Sequence, residues 1–267
     1  MSPAPGAPGR LSAVVVAQDE AANLPACLAS LSFCDEVLVV DGGSRDGTRA
    51  LARAAGARVV ERAFDHFAAQ HEHALAQAAG PWILSLDADE RATPALAQAA
   101  RAIADAPEAD GAPSAYALPF KNHFAGRWLR FGGLWPDRHV RLFRKDRCRY
   151  DPARPVHEKL LVTGVTQMLD APVLHYTWTS PAHCLQKSAR YGEQAARGLF
   201  AQGKRGSVLR LALSPLWRFV RGYFLRLGLA DGGPGLVVAW ARTYEAYVRE
   251  SRLRALWRTE GAQREGR

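Results

Sequence analysis

Cysteine is sparse in this chain. Four residues, Cys27, Cys34, Cys148 and Cys184, are scattered through 267 positions with no C-x-x-C pair, which excludes a paired-cysteine zinc module and a disulfide framework and fits a reducing cytoplasm. Nowhere do enough apolar residues follow one another for a membrane-spanning helix. The opening residues, Met1 to Gly9, are rich in Pro, Gly and Ala and lack the apolar core of a secretory signal. Acid is scarce beside base: 26 Asp and Glu face 35 Lys and Arg, for a formal net charge of +9. That excess suits a polyanion, whether nucleic acid, anionic lipid or a phosphorylated small molecule, and it equally suits an ordinary solvated surface. Neither G-x-G-x-x-G nor a P-loop occurs, so those two phosphate cradles are excluded. No internal repeat is visible.

What is present is a 48% hydrophobic content, sufficient for a large core. From residue 11 to about 110 apolar runs alternate with helical patterns. Strands are expected at Leu11–Ala17, Glu36–Asp41, Arg58–Arg62 and Trp82–Asp87. Helices are expected at Leu24–Leu31, Asp46–Ala55, Phe67–Ala79 and Pro94–Ile103, the last opened by Thr93 as N-cap and Pro94 in its first turn. Such alternation predicts an α/β fold with a mainly parallel sheet covered on both faces. From Tyr116 the pattern shifts to short aromatic and arginine-rich strands, Tyr116–Phe120, Trp128–Leu129, Val140–Phe143, Lys159–Leu161 and Val173–Tyr176, which read as an antiparallel extension. Helices return at Leu185–Gln202, Leu209–Leu229 and Leu236–Leu256. The expected organisation is a disordered tail over 1–10, a catalytic domain over 11–180 with halves at 11–115 and 116–180, and a helical region over 181–267.

Two strands end in acid. Val37–Val40 runs into Asp41-Gly42-Gly43-Ser44, and Trp82–Leu86 runs into Asp87-Ala88-Asp89-Glu90. In a parallel sheet, ligands sit beyond the carboxyl ends of the strands, where these acids fall. The glycines after Asp41 permit close backbone approach, and Asp41 can accept hydrogen bonds from a base or ribose; a plain βα turn capped by Asp46 is the other reading. Alternation in an extended strand end points the carboxylates of Asp87 and Asp89 the same way, as one hard divalent cation requires. Mg²⁺ or Mn²⁺ is the expected occupant. A second cluster, Asp65, His66, His71, Glu72 and His73, is a weaker candidate, because His71 and His73 diverge on a helix.

Together with Gln18-Asp19-Glu20, Arg141-Leu142-Phe143-Arg144-Lys145 and Val156-His157-Glu158-Lys159, these segments resemble the family 2 glycosyltransferases, and more narrowly lipopolysaccharide-core glucosyltransferases of the WaaE type, over about residues 11 to 250. The resemblance implies a GT-A fold, that is, a Rossmann-like, mainly parallel sheet with an antiparallel extension. It also implies an inverting, metal-dependent transfer from a nucleotide-diphosphate sugar, a UDP-sugar first, to a lipid-linked or lipopolysaccharide-core acceptor. By the same resemblance Asp41 contacts the base, Asp87 the ribose side and the metal, and Asp89 the metal, while Glu20, Gln70 and Arg141 join the substrate site. Where relatives carry Lys or Arg after the glutamine, this chain has His71, which removes a fixed cation.

Inversion needs a general base opposite the leaving group. Glu158 is the first candidate and Asp137 the second. Glu158 has an ion pair with Lys159 or Arg154 as its alternative role. His157 and His175 are candidates for the metal or diphosphate, and each serves equally as a structural histidine. Along an alternating strand Arg141 and Phe143 share one side and Leu142 and Arg144 the other; Arg138 or Arg141 is placed to meet phosphate. In the helical region Arg210, Arg218, Arg221 and Arg226 gather on one side and Leu209, Leu213, Leu216, Trp217, Val220, Tyr223, Phe224 and Leu227 on the other, with a break or kink at Pro215. This pattern suits an amphipathic helix on the inner face of the cytoplasmic membrane, or a helix packed on the catalytic domain. Two other functions stay open: nucleotidyl transfer, although no Gly/Arg-rich phosphate loop is seen near Val14–Glu20, and a non-enzymatic basic module for membrane or nucleic acid. Two acid-ended strands would repel nucleic-acid phosphate, so nucleic acid is not an expected partner.

Overall fold

The structure, a computed structural model, describes residues 10–107, 109–151 and 160–265. Four strands form its parallel half: β1 (Leu11–Ala17), β2 (Glu36–Asp41), β3 (Arg58–Glu61) and β4 (Trp82–Asp87). They lie in the order β3-β2-β1-β4. β1 is central and almost wholly buried, which is why it reads as the continuous apolar run Leu-Ser-Ala-Val-Val-Val-Ala and not as an alternating one. Helices α1 (Leu24–Ala29), α2 (Thr48–Ala54), α3 (Phe67–Gln77) and α4 (Pro94–Asp105) connect or follow these strands. Thr93 caps α4 as expected, its Oγ1 accepting from Leu96 N at 3.2 Å and donating to Pro172 O at 2.7 Å. α2 begins later than expected: Asp46 accepts from Thr48 N at 2.9 Å, one residue ahead of the helix cap at Gly47.

Beyond β4 the sheet is mainly antiparallel, although Thr166–Met168 runs parallel to its neighbour. β5 (Glu90–Ala92), β6 (Ala115–Phe124), β7 (Arg127–Trp128), β8 (Asp137–Arg144), β11 (Thr166–Met168) and β12 (Val173–Trp178) continue it in the order β4-β8-β6-β12-β5, with β7 and β11 on β6. β9 (Cys148–Tyr150) and β10 (Leu160–Val162) form a separate ribbon. This is the mixed α/β sheet with an antiparallel extension and C-terminal helices that the sequence predicts. The two faces of the parallel half are packed with separate apolar clusters, one around Val15, Leu84 and Leu118, the other around Val14, Ile83 and Phe143. Adjacent residues of one strand thus serve opposite faces.

The chain forms two compact units. Among the described residues, one comprises those up to Phe120 and from Asp137 to His175; the other comprises Lys121–Pro136 and those from Tyr176 onward. The second unit contains α5 (Pro181–Ala201), α6 (Val208–Phe219), a π-helical turn at Val220–Leu225, a 3₁₀ turn at Gly228–Asp231 and α7 (Gly232–Glu265). Its core joins Phe124, Leu129 and Leu134 to Cys184, Val238 and Ala241. The buried Asp231 carboxylate accepts from the backbone N–H groups of Arg130 and Phe131, at 3.1 and 2.9 Å. α6 runs on through Pro215 without the expected break, and the change of helix type falls five residues later, at Val220.

Candidate active site

Parallel pairing sets two acids at one edge. Asp41 lies opposite Ala17 and Asp87 opposite Val16, so strands on either side of β1 end at nearly the same level. Asp41 is completely buried. Its Oδ2 accepts from Gly43 N and Ser44 N, both at 3.0 Å, and its Oδ1 accepts from the Ser44 hydroxyl. Gly43 supplies the positive φ of 93° that this tight reversal needs. The neighbouring β1–α1 loop is stitched to the same turn, with Asp19 N donating to Ser44 Oγ at 2.9 Å and Glu20 N to Thr48 Oγ1 at 2.8 Å. The edge is therefore preorganised, with Asp41 at its centre.

At the second acid the chain does not stay extended. β4 stops at Asp87, Ala88 and Asp89 form a turn, and β5 begins at Glu90. Glu90 closes that turn: its Oε2 accepts from Asp87 N at 2.9 Å. Its other oxygen accepts from Arg141 Nη2 at 2.7 Å, and the same nitrogen donates to Asp87 Oδ2 at 2.8 Å. Arg141 reaches this point from an irregularity in β8. Tyr116 pairs with Leu142 but Ala117 with Val140, so Arg141 is one residue extra and has no residue opposite. Bulges re-aim side chains in this way, and the simple alternation expected of Arg141 is interrupted there. Arg91 Nη1 ties the turn down further, donating to Ala88 O at 2.7 Å.

The turn brings Asp89 and Glu90 to His175 on β12. Ligand atoms of these three side chains all lie within 4.8 Å of one another, with His175 Nε2 3.4 Å from Asp89 Oδ2. Among the described residues this is the group of acids and histidines that converges in such a way. Two carboxylates, of Asp87 and Glu90, share the Arg141 guanidinium, and the third, of Asp89, lies against His175. Burial first, then Asp87 and Asp89, push Glu90 well above the usual carboxylate range, against the pull of Arg141. Burial also opposes ionisation of Asp87, but the Arg141 guanidinium outweighs it and holds Asp87 below that range. The convergence of carboxylate and imidazole donors from Asp89, Glu90 and His175 fits a hard divalent cation such as Mg²⁺ or Mn²⁺.

The remaining site residues expected from sequence lie around this cluster or elsewhere. Phe120 packs edge-on against His175 at 5.9 Å and against His139 at 5.0 Å, and His139 Nε2 lies 3.1 Å from Asp137 Oδ1. Asp137 is thus connected to the cluster through two rings. Gln70 is fully buried on α3; its Nε2 donates to Arg62 O at 2.9 Å while its Oε1 has no partner among the described residues. Glu20 accepts from Asn23 Nδ2 at 2.8 Å. His71 is buried and stacked on Tyr150 at 4.8 Å, and burial lowers its pKa to about 4, so it supplies no cation at neutral pH. His66 caps α3 through Nδ1, at 3.2 Å from Ala69 N, and Glu72 accepts from Tyr150 N at 2.8 Å, so two members of the histidine-rich run have structural uses. Arg138 is paired with Asp170 at 3.2 Å. Glu158, His157 and Lys159 lie outside the described residues. Sequence reasoning gave Glu90 no role; its signal was its place immediately after the acid pair, ahead of a basic residue.

Comparison with known proteins bears on the same region. The lipopolysaccharide core biosynthesis glycosyltransferase LpsC of Rhizobium meliloti (strain 1021) is 29% identical over 255 residues, covering 90% of this chain and 93% of that protein. Among solved structures, S. aureus TarS 1-349 aligns over 94% of this chain and 92% of its own at 14% identity, with a TM-score of 0.46. Glucosyl-3-phosphoglycerate synthase from Mycobacterium tuberculosis, crystallised in complex with Mn²⁺, UDP and glucosyl-3-phosphoglycerate, aligns over 43% of this chain and 44% of its own at 23% identity, with a TM-score of 0.34. The sequence model described as glycosyl transferase family 2 matches residues 12–158, more than half of the chain, and spans Asp41, the Asp87–Glu90 turn and Arg141. With that match across the whole strand edge, the chain belongs to glycosyl transferase family 2 and is a transferase enzyme.

Proposed function

We propose that this enzyme moves a sugar, with inversion, from a UDP-sugar or related nucleotide-diphosphate donor to a lipid-linked or lipopolysaccharide-core acceptor. The observation that carries the reading is the convergence of Asp89, Glu90 and His175 beside Asp41 and Asp87 on one sheet edge. The acceptor class draws support from the kinship with LpsC, whose name assigns it to lipopolysaccharide core synthesis. An acceptor of that kind places the enzyme in the cytoplasm at the inner face of its membrane.

Asp89 and His175 would hold Mg²⁺ or Mn²⁺, with Asp87 adjoining, and the ion when bound supplies Lewis-acid neutralisation of charge on the departing diphosphate. Asp41, fixed by its own turn, takes the base; Asp87 takes the ribose side; Gln70 and Glu20 line the nucleotide end. Arg141 acts from behind, holding Asp87 and Glu90 in place. The acceptor oxygen attacks the anomeric carbon from the face opposite the diphosphate, and Glu158 or Asp137 takes its proton.

Incubating the protein and Mn²⁺ with a panel of labelled nucleotide sugars and lipopolysaccharide-core acceptors tests this. Label should pass from one UDP-sugar to the acceptor, with the anomeric configuration inverted. Consumption of no nucleotide sugar at all would overturn the reading. Comparing Glu158→Gln with Asp137→Asn identifies the base: its loss should lower kcat by about 10²–10⁴-fold, with donor affinity retained.

A further inference from the structure

The charge of this chain is concentrated. Between Glu193 and Asp231 no acidic residue occurs, while Arg197, Lys204, Arg205, Arg210, Arg218, Arg221 and Arg226 are all basic. That stretch holds seven positive charges and no negative one, against +9 for the whole chain. It contains α6 and the π-helical turn that follows.

α6 packs the unusual way round. On α7, Arg249 reaches its Ser214 at 3.2 Å, Glu245 reaches its Arg218 at 3.4 Å, and Trp240 meets its Phe219 at 5.5 Å. The inward side therefore carries a serine and an ion-paired arginine. At 100° per residue the opposite side presents Leu209, Leu213, Leu216 and Trp217, and these are exposed, Leu209 by 67% and Trp217 by 56%. No residue of α6 is buried. Leu225 in the next turn is 63% exposed. A helix of a soluble protein turns its apolar stripe to the core; this one turns it out. Arg210, Arg221 and Arg226 flank that stripe, exposed and, among the described residues, without a carboxylate partner. Among the described residues no helix is long and apolar enough to cross a membrane; an amphipathic face of this kind suits the plane of a surface.

We propose that the outward face of α6 and the π-helical turn docks on a bilayer bearing anionic phospholipid headgroups, with Leu209, Leu213, Leu216 and Trp217 in the interfacial layer and Arg210, Arg221 and Arg226 at the headgroups. The occupant follows from charge complementarity: an uncovered apolar stripe bordered by arginine alone matches an apolar layer bordered by phosphate. The assignment gives a specific surface to the membrane placement proposed above, and it does not depend on the sugar-transfer chemistry.

Flotation of the full chain with vesicles tests it without any substrate. The protein should float with phosphatidylcholine vesicles containing phosphatidylglycerol, float much less with phosphatidylcholine alone, and be released by high salt. Replacing Leu213→Gln together with Trp217→Gln should weaken partition by about tenfold or more. Replacing Arg210→Gln, Arg221→Gln and Arg226→Gln together should weaken it by about a hundredfold. All five side chains are exposed, and circular dichroism of each variant confirms that the fold is kept. Wild-type protein that stays with neither vesicle, or variants that float like wild type, would overturn the proposal. So would a dimer in light scattering that the Leu213→Gln, Trp217→Gln protein converts to monomer with no vesicle binding by either, because the face would then join two copies. Donor hydrolysis measured without vesicles reads the transfer reaction separately, so the two proposals fail independently.

Discussion

Arg141 is the residue on which the acid cluster turns. It is the guanidinium between Asp87 and Glu90, delivered by an irregular register that no alternation pattern announces. Removing it leaves carboxylates packed together with no compensating charge, which costs about 3–5 kcal/mol for a buried pair. Arg141→Met should therefore lower stability in urea denaturation by an amount in that range, and saturating Mn²⁺ should restore part of it. His71 makes a second prediction. Its folded pKa of about 4 lies below the ordinary histidine value, so as pH falls the unfolded chain takes the proton first. Its contribution is complete above about pH 6.5 and is lost towards pH 4, amounting to about 2 kcal/mol between pH 7.5 and 5. Denaturation of wild type and His71→Phe across that interval should show the loss in the former only; equal pH slopes would refute it. The strand-end positions of Asp41 and Asp87 were legible because each closes an apolar strand, whereas the turn that carries Asp89 was not. Glu90 and the present role of Arg141 were not, because a two-residue turn and a one-residue register shift leave no periodic trace.

At the scale of elements, burial explains what sequence could and could not convey. β1, β2 and β4 fall on the residues expected of them, since each is a run of apolar residues closed by a polar boundary. β5, β9 and β11 have three residues each, too few for any period to emerge, and β5 is the one that carries Glu90. The α4 cap was readable because Thr93-Pro94 states its mechanism locally. Thr93→Ala removes both its acceptance from Leu96 and its bond to Pro172, so a loss of about 1–2 kcal/mol in chemical denaturation is expected, with Thr93→Ser recovering most of it. Pro215 taught the reverse. Its lack of an N–H is tolerated inside α6, and the helix changes type only at Val220. An exposed helix with few packed neighbours has room to absorb such a defect.

For the whole molecule, net charge and family membership describe different parts of the chain. The family 2 match ends at residue 158, before the acid-free stretch that holds most of the excess positive charge. Composition alone could not say whether that charge served a nucleotide, a membrane or nothing in particular; its position beside an outward apolar stripe is what distinguishes it. The strand edge, by contrast, is acidic, and an acidic edge accepts a diphosphate only with a cation between them. Binding of Mn²⁺ in the presence of UDP, measured by calorimetry on wild type and on Asp89→Ala alongside transfer rates, tests that requirement most directly. Wild type should bind one Mn²⁺ and lose activity on chelation, and Asp89→Ala should lose that binding and about a hundredfold or more in transfer rate. An Asp89→Ala protein that binds Mn²⁺ and transfers sugar like wild type would contradict the account.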